Sequence, residues 1–208
     1  MGSLVLTVGT GSTWAMRASM VLGLSGLAWQ EQVFDLEDAR EVVRLKRVSP
    51  TGLVPWLDDG ELRIHDSLAI AEYLHERCPE RHLYPVNVAE RALARSLCAE
   101  LHAGFGQIRS RLPFFLGAPT QSEPPVEVLV ELARLQTIWS QARGDFYFGE
   151  AGIIDAFYAV MAYRLASYGI GLPGQAGLYQ QALLAWPLWQ ETLVKARLQW
   201  PAKSRQSL

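Results

Sequence analysis

What this 208-residue chain lacks narrows its role before any motif is considered. It has only two cysteines, Cys78 and Cys98, in neither a CxxC nor a metal-like spacing. No metal site is expected, Cys98 reads as a buried small hydrophobe, and a reducing, cytoplasmic compartment is the simple expectation. Charge of either sign is sparse: the net value is −2 and no basic run is longer than a pair or so, so no nucleic-acid partner is expected. Long apolar runs are missing as well. The longest candidate, Ile153–Leu172, is interrupted by Asp155 and Arg164, which argues against a membrane span. A charged segment followed by an apolar one is absent from the start, so no signal peptide is expected. Gly9-Thr10-Gly11-Ser12 has the setting of a phosphate loop, but Trp14 stands near the place of the third glycine and no Gly-Lys-Ser/Thr follows, which disfavours nucleotide binding. No internal repeat is apparent.

What is present describes a globular protein: half of the residues are hydrophobic and under a fifth are charged. Leu4–Gly9 is a β-type run. Ser12 or Thr13 can cap the next segment, Trp14–Ser25, whose Met16, Met20, Val21 and Leu24 recur at helical spacing up to Gly26. Trp29–Phe34 alternates as a strand, and Asp35–Arg47 is charged and weakly helical. After residue 79 the strand signals almost vanish. A polar, proline-bounded linker over 79–87 leads into a helix from Asn87 to about Arg111, a second over Val126–Ala142, and a third opening at Gly152-Ile153-Ile154-Asp155. A turn cluster at Gly171–Gly177 precedes a last helix at Trp186-Pro187, and the tail from Lys203 reads as loose.

The most informative stretch is Ser49–Leu74, SPTGLVPWLDDGELRIHDSLAIAEYL. Pro55 has no N–H for a sheet ladder and suits a strand start. Asp58-Asp59-Gly60 between two apolar runs is a hairpin signal. Asp66 and Ser67 open an amphipathic helix, where free N–H groups and the helix dipole favour an anion. A carboxylate docked there, with its own backbone pairing beside Val54-Pro55, is how a short peptide would be held. A plain helix cap is the competing reading of Asp66-Ser67. The first eighty residues thus read β-α-β-α-β-β-α, an order that resembles the thioredoxin fold. The whole is expected to be α+β, with a thioredoxin-like domain over 1–78 and an all-α domain over 88–208.

SPTGLVPWL followed by IHDSLAIAEYLHE resembles the glutathione-binding half of the glutathione S-transferase superfamily, in its zeta-like and related bacterial members. Ser49 stands where the family usually has Asn, and Asp66 where Gln or Glu is commoner. The resemblance implies glutathione as co-substrate, with Ser67 meeting the γ-glutamyl carboxylate, Asp66 the ammonium, and Val54 the cysteinyl unit through a cis bond to Pro55. Lys46 would face the glycine end, although a solvated helix lysine is the equal alternative. It also implies that a hydroxyl at the first helix's mouth activates the sulfur. Ser12 is the first choice and Thr10 and Thr13 are alternatives; the absence of cysteine there argues against deglutathionylating branches. His102, Phe105 and Arg109, placed on one helical face, would line the second-substrate pocket; otherwise Arg109 is an ion-pair residue and His102 a satisfied histidine.

The resulting expectation is a cytoplasmic, dimeric glutathione transferase acting on a small electrophile. The alternatives are a glutathione-dependent cis-trans isomerase resembling maleylacetoacetate isomerase, and a non-catalytic binding module.

Overall fold

LVLTVG at Leu4–Gly9 forms the inner strand β1, its side chains buried along almost its whole length, as a strand covered on both faces requires. The computed structural model describes residues 4–121 and 123–200. Helix α1 (Thr13–Ser25) follows and ends at Gly26, which takes the left-handed conformation, φ 68°, that terminates a helix without steric cost. Strand β2 (Trp29–Phe34) lies parallel to β1, pairing Leu4 with Trp29 through Gly9 with Phe34. Helix α2 (Ala39–Val48) is firmer than its charge pattern promised, because Asp38 caps it, accepting from Arg40 N at 2.7 Å; Leu45 is its buried residue. Strands β3 (Trp56–Asp59) and β4 (Leu62–Ile64) form the expected hairpin, with Gly60 at φ 64° in its turn. β3 runs antiparallel to β1, Thr7 opposite Trp56, and the sheet order is β2-β1-β3-β4. Helix α3 (Ser67–Arg77) completes the thioredoxin-like arrangement. Phe34, Leu45 and Trp56 form one buried cluster, with Leu36 and Val54 against it.

Among the described residues the remaining α-helices are α4 (Val88–Ala103), α5 (Gly106–Arg111), α6 (Leu129–Trp139), α7 (Ile153–Ala166), α8 (Gly174–Ala185) and α9 (Pro187–Gln199). Packing divides the chain into two compact units. One comprises the residues up to Leu83 together with those from Glu191 onward, and the other is Tyr84–Gln190. Leu83 is buried, and the end of α9 groups with the first unit.

Three local expectations are corrected. The helix expected to run unbroken from Asn87 to Arg111 stops at Ala103, and Phe105 turns left-handed, φ 58°, before α5 begins. Glycines on both sides of Phe105 weaken the helix there. The Glu131 carboxylate then takes the amides of Gln107 and Ile108 at 3.1 and 2.7 Å, satisfying the new helix start. The second helix is shorter than Val126–Ala142: a 3₁₀ turn fills Val126–Val128 and α6 ends at Trp139. The Gly171–Gly177 stretch, expected as a turn cluster, contains the start of α8. Gln180 anchors that helix, accepting from Leu172 N at 2.9 Å and donating to Ile170 O at 2.9 Å.

In the centre of the second unit, α7 is buried on nearly every side. Gly152 brings no side chain to its cap, and Asp155 supplies the reciprocal half of the capping box. Its carboxylate accepts from Gly152 N and Tyr147 N, both at 2.9 Å, and from the Tyr179 hydroxyl at 2.7 Å.

Candidate functional site

A cleft of about 400 Å³ lies in the first unit at the start of α1. It brings together five of the sequence-predicted residues: Thr10, Ser12, Thr13, Lys46 and Val54. Its apolar wall includes Trp14, Leu36 and Leu53, none of which was singled out from the sequence. Pro55, Asp66 and Ser67 are not part of this lining.

The three hydroxyls are placed differently. Thr10 is occupied on both sides: it donates to Asp35 Oδ1 at 3.3 Å and accepts from Leu36 N at 2.9 Å, which ties the turn to the end of β2. Ser12 is the N-cap of α1. Its Oγ accepts from Ala15 N at 3.3 Å, which leaves the hydroxyl proton to be donated outward. Thr13, the first helical residue, is largely buried, and its hydroxyl makes no hydrogen bond to the described residues. No acidic side chain lies in the first turn of α1, so the positive end of the helix dipole is not offset there by a carboxylate of its own helix.

The loop from Ser49 to Val54 is held by the residue that departs from the family pattern. Ser49 Oγ donates to Leu53 O at 2.7 Å and accepts from Thr51 N at 3.3 Å. The Val54–Pro55 bond is cis, as expected, and the loop's own backbone hydrogen bonds do not use Val54. Lys46 is exposed, with its alkyl stem packed over Gly52.

At the head of α3, Asp66 caps the helix through Oδ1, accepting from Leu68 N at 2.9 Å and Ala69 N at 3.3 Å. The capping role foreseen for this pair is therefore real for Asp66. Ser67 differs. Its side chain is 0% exposed and its hydroxyl has no hydrogen-bond partner. A buried hydroxyl left unpaired costs about 1–3 kcal/mol.

His102, Phe105 and Arg109 belong to the second unit. The break at Gly104 removes them from a common helical face: His102 lies in the last turn of α4, Phe105 is 5% exposed between helices, and Arg109 lies in α5. Phe105 is thus core rather than an open aromatic wall. Arg109 donates to Leu101 O at 3.2 Å, and burial lowers its pKa, with Glu131 opposing the shift. Arg164 was passed over in the sequence except as a charge interrupting an apolar run. It is buried, donates to Leu112 O at 2.7 Å, and is pushed down to about 10 by burial, with Arg109 adding to the effect. Among the described residues no cluster of His, Cys, Asp and Glu could hold a metal, and no helix is long and apolar enough to cross a membrane.

Residues 11–77 match the family described as glutathione S-transferase, N-terminal domain. A probable maleylacetoacetate isomerase from Vibrio cholerae is 35% identical over 109 residues, 49% of this chain and 51% of that protein. Glutathione S-transferase Z1 of Arabidopsis thaliana is 36% identical over 83 residues, 39% of this chain and 38% of that protein. The chain therefore spans about half the length, or less, of these curated relatives. A crystal structure of a glutathione transferase homologue from Burkholderia, with bound glutathione, has a TM-score of 0.71 at 25% identity and covers 94% of this chain and 98% of that one.

Proposed function

We propose that this chain, which belongs to the glutathione S-transferase superfamily with zeta-like relatives, is a transferase that joins the thiolate of glutathione to a small electrophile. The observation that carries the reading is the cleft at the start of α1, where Ser12, Lys46 and Val54 line one space. Glutathione lies with its cysteinyl backbone on Val54, its glycine carboxylate toward Lys46, and its γ-glutamyl end toward Asp66 and Ser67. Ser12, with Thr10 and Thr13 as the alternatives, donates to the sulfur. A free thiol has a pKa near 8.5, so only a few per cent is thiolate at neutral pH. One charge-assisted hydroxyl bond and the positive end of α1 favour the anion, and proximity does the rest.

Ser67→Ala is expected to weaken glutathione binding by about 1.5–3 kcal/mol, the worth of a hydrogen bond to a charged group. The unliganded protein should lose no stability, because the hydroxyl it gives up has no partner. Calorimetric titration alongside urea melts separates the two effects. Unchanged affinity in a folded variant removes Ser67 from the site.

A two-fold dimer is expected, as the commonest form of soluble oligomer. Sedimentation that detects only a 23.2 kDa species at micromolar concentration rejects it.

The similarity to a probable maleylacetoacetate isomerase favours a second reading, in which glutathione adds and is returned during cis-trans isomerisation. Lys46 suits an anionic substrate of that kind, and turnover without consumption of glutathione decides for it. Failure to be retained on immobilised glutathione leaves the non-catalytic binding module.

A further inference from the structure

We propose that Trp200 is a positioning residue for the Ser12 turn, held there by Glu31, which fastens the end of α9 to β2. The proposal rests on Ser12 as the group that meets the sulfur. Gly11 immediately precedes Ser12 and is left-handed, φ 68°. A β-carbon built on Gly11 would lie 2.1, 2.3 and 2.6 Å from Cη2, Cζ3 and Cζ2 of Trp200. The six-membered ring of the indole therefore fills the space a side chain would need, and bears directly on the turn. The turn itself is closed by one backbone bond, Ser12 N to Gly9 O at 3.1 Å. The capping bond from Ala15 N to Ser12 Oγ is long at 3.3 Å, so the direction of the hydroxyl depends on the backbone beneath it.

Trp200 is anchored from the other side. Its backbone N–H donates to Ala196 O at 3.0 Å, continuing the hydrogen bonding of α9. Glu31 on β2 is 7% exposed in its side chain and pairs with Lys195 Nζ at 2.8 Å. Its Oε2 also accepts from Gln199 Nε2 at 2.6 Å, and its Oε1 accepts from Ser19 Oγ of α1 at 2.9 Å. The Lys195 ammonium lies 4.2 Å from the centre of the Trp29 ring. Charge-assisted bonds of this kind are about twice as strong as neutral ones. One carboxylate thus joins α1, β2 and the last turn of α9, and the indole is delivered onto Gly11. A displacement of about 1 Å at a reacting group can cost on the order of a hundredfold in rate, so a side chain that fixes the turn has leverage without touching substrate.

The test uses the full chain and two readouts. Without glutathione, amide hydrogen exchange of Ser12 is expected to accelerate at least about tenfold in Trp200→Ala, and Trp200→Phe should recover much of the protection. With glutathione bound, Trp200→Ala is expected to raise the pKa of the bound thiol toward its value in Ser12→Ala and to lower kcat about tenfold, with affinity changed less than about threefold. The loss caused by Gly11→Ala should be partly relieved when Trp200→Ala is added, since the two then no longer compete for one space. Unchanged exchange in Trp200→Ala overturns the proposal. Faster exchange with an unmoved thiol pKa, in a protein where Ser12→Ala does move it, also overturns it. If wild-type protein leaves the glutathione thiol at its free value, the Ser12 reading fails instead, while the exchange result still shows whether Trp200 holds the turn.

Discussion

Ser12→Ala is expected to leave glutathione affinity nearly intact while raising the pKa of the bound thiol toward about 8.5. Near neutral pH the rate should fall by a few-fold to about a hundredfold, and by less at pH near 9, where the thiol ionises unaided. The physical reason is the division of labour within one hydroxyl. Its oxygen accepts from Ala15 N, so its proton has no competing duty in the helix cap. Thr10 lacks that freedom, because Asp35 takes its proton. Thr10→Ala should therefore act mainly on the turn's stability, whereas Thr13→Ala is the more searching control. Ultraviolet thiolate absorbance against pH, paired with the rate profile, reads the outcome. If Thr13→Ala moves both curves and Ser12→Ala moves neither, the role belongs to Thr13. If no variant of the three moves them, hydroxyl activation at this turn is wrong.

Asp155→Ala is expected to remove about 3–5 kcal/mol of stability, since it leaves the Tyr147 and Gly152 amides and the Tyr179 hydroxyl without their acceptor inside a core. The loss should depend on pH in a direction opposite to that of most carboxylates. Burial pushes Asp155 up from 3.8 to about 6, against the three donors that favour its charge. A carboxyl that is harder to ionise in the folded state contributes most below the unfolded pKa of about 4, and that contribution declines as pH rises through about 6. A shift of about two units corresponds to about 3 kcal/mol between those limits. Urea melts at pH about 4 and pH about 7 should thus show the variant falling further behind wild type at the lower pH. A difference that is constant across this range, or larger at pH 7, contradicts the assignment.

Features set by nearest neighbours in sequence were legible before any coordinates. Gly26 ends α1, Asn87 caps α4 by accepting from Ala89 N and Glu90 N, and Asp58-Asp59-Gly60 turns the hairpin, because caps and turns depend on a few adjacent residues. The gathering of Thr10, Ser12, Thr13, Lys46 and Val54 agrees with what the family resemblance implies and carries no signal in the periodicity of the chain. What was not legible came from partners distant in sequence. Phe105 carries no local signal for its left-handed backbone beyond the flanking glycines. The Glu131 carboxylate that allows α5 to start anew comes from 23 and 24 residues away. The same holds for α8, whose glycine-rich opening reads as a turn until Gln180 pins it. Ser67 shows a subtler limit: its position at a helix start was readable, but its lack of a partner was not.

The grouping of the end of α9 with the first unit has a consequence for how the protein comes into being. A polypeptide is made in one direction, at roughly 5–20 residues per second, and amino-terminal structure forms first. β1 through α3 are thus in existence while the intervening unit, Tyr84–Gln190, has still to be synthesised. At that pace the wait is on the order of 5–20 seconds. Throughout that interval Gly11 has no indole upon it, and the Glu31 carboxylate waits for Lys195 and Gln199.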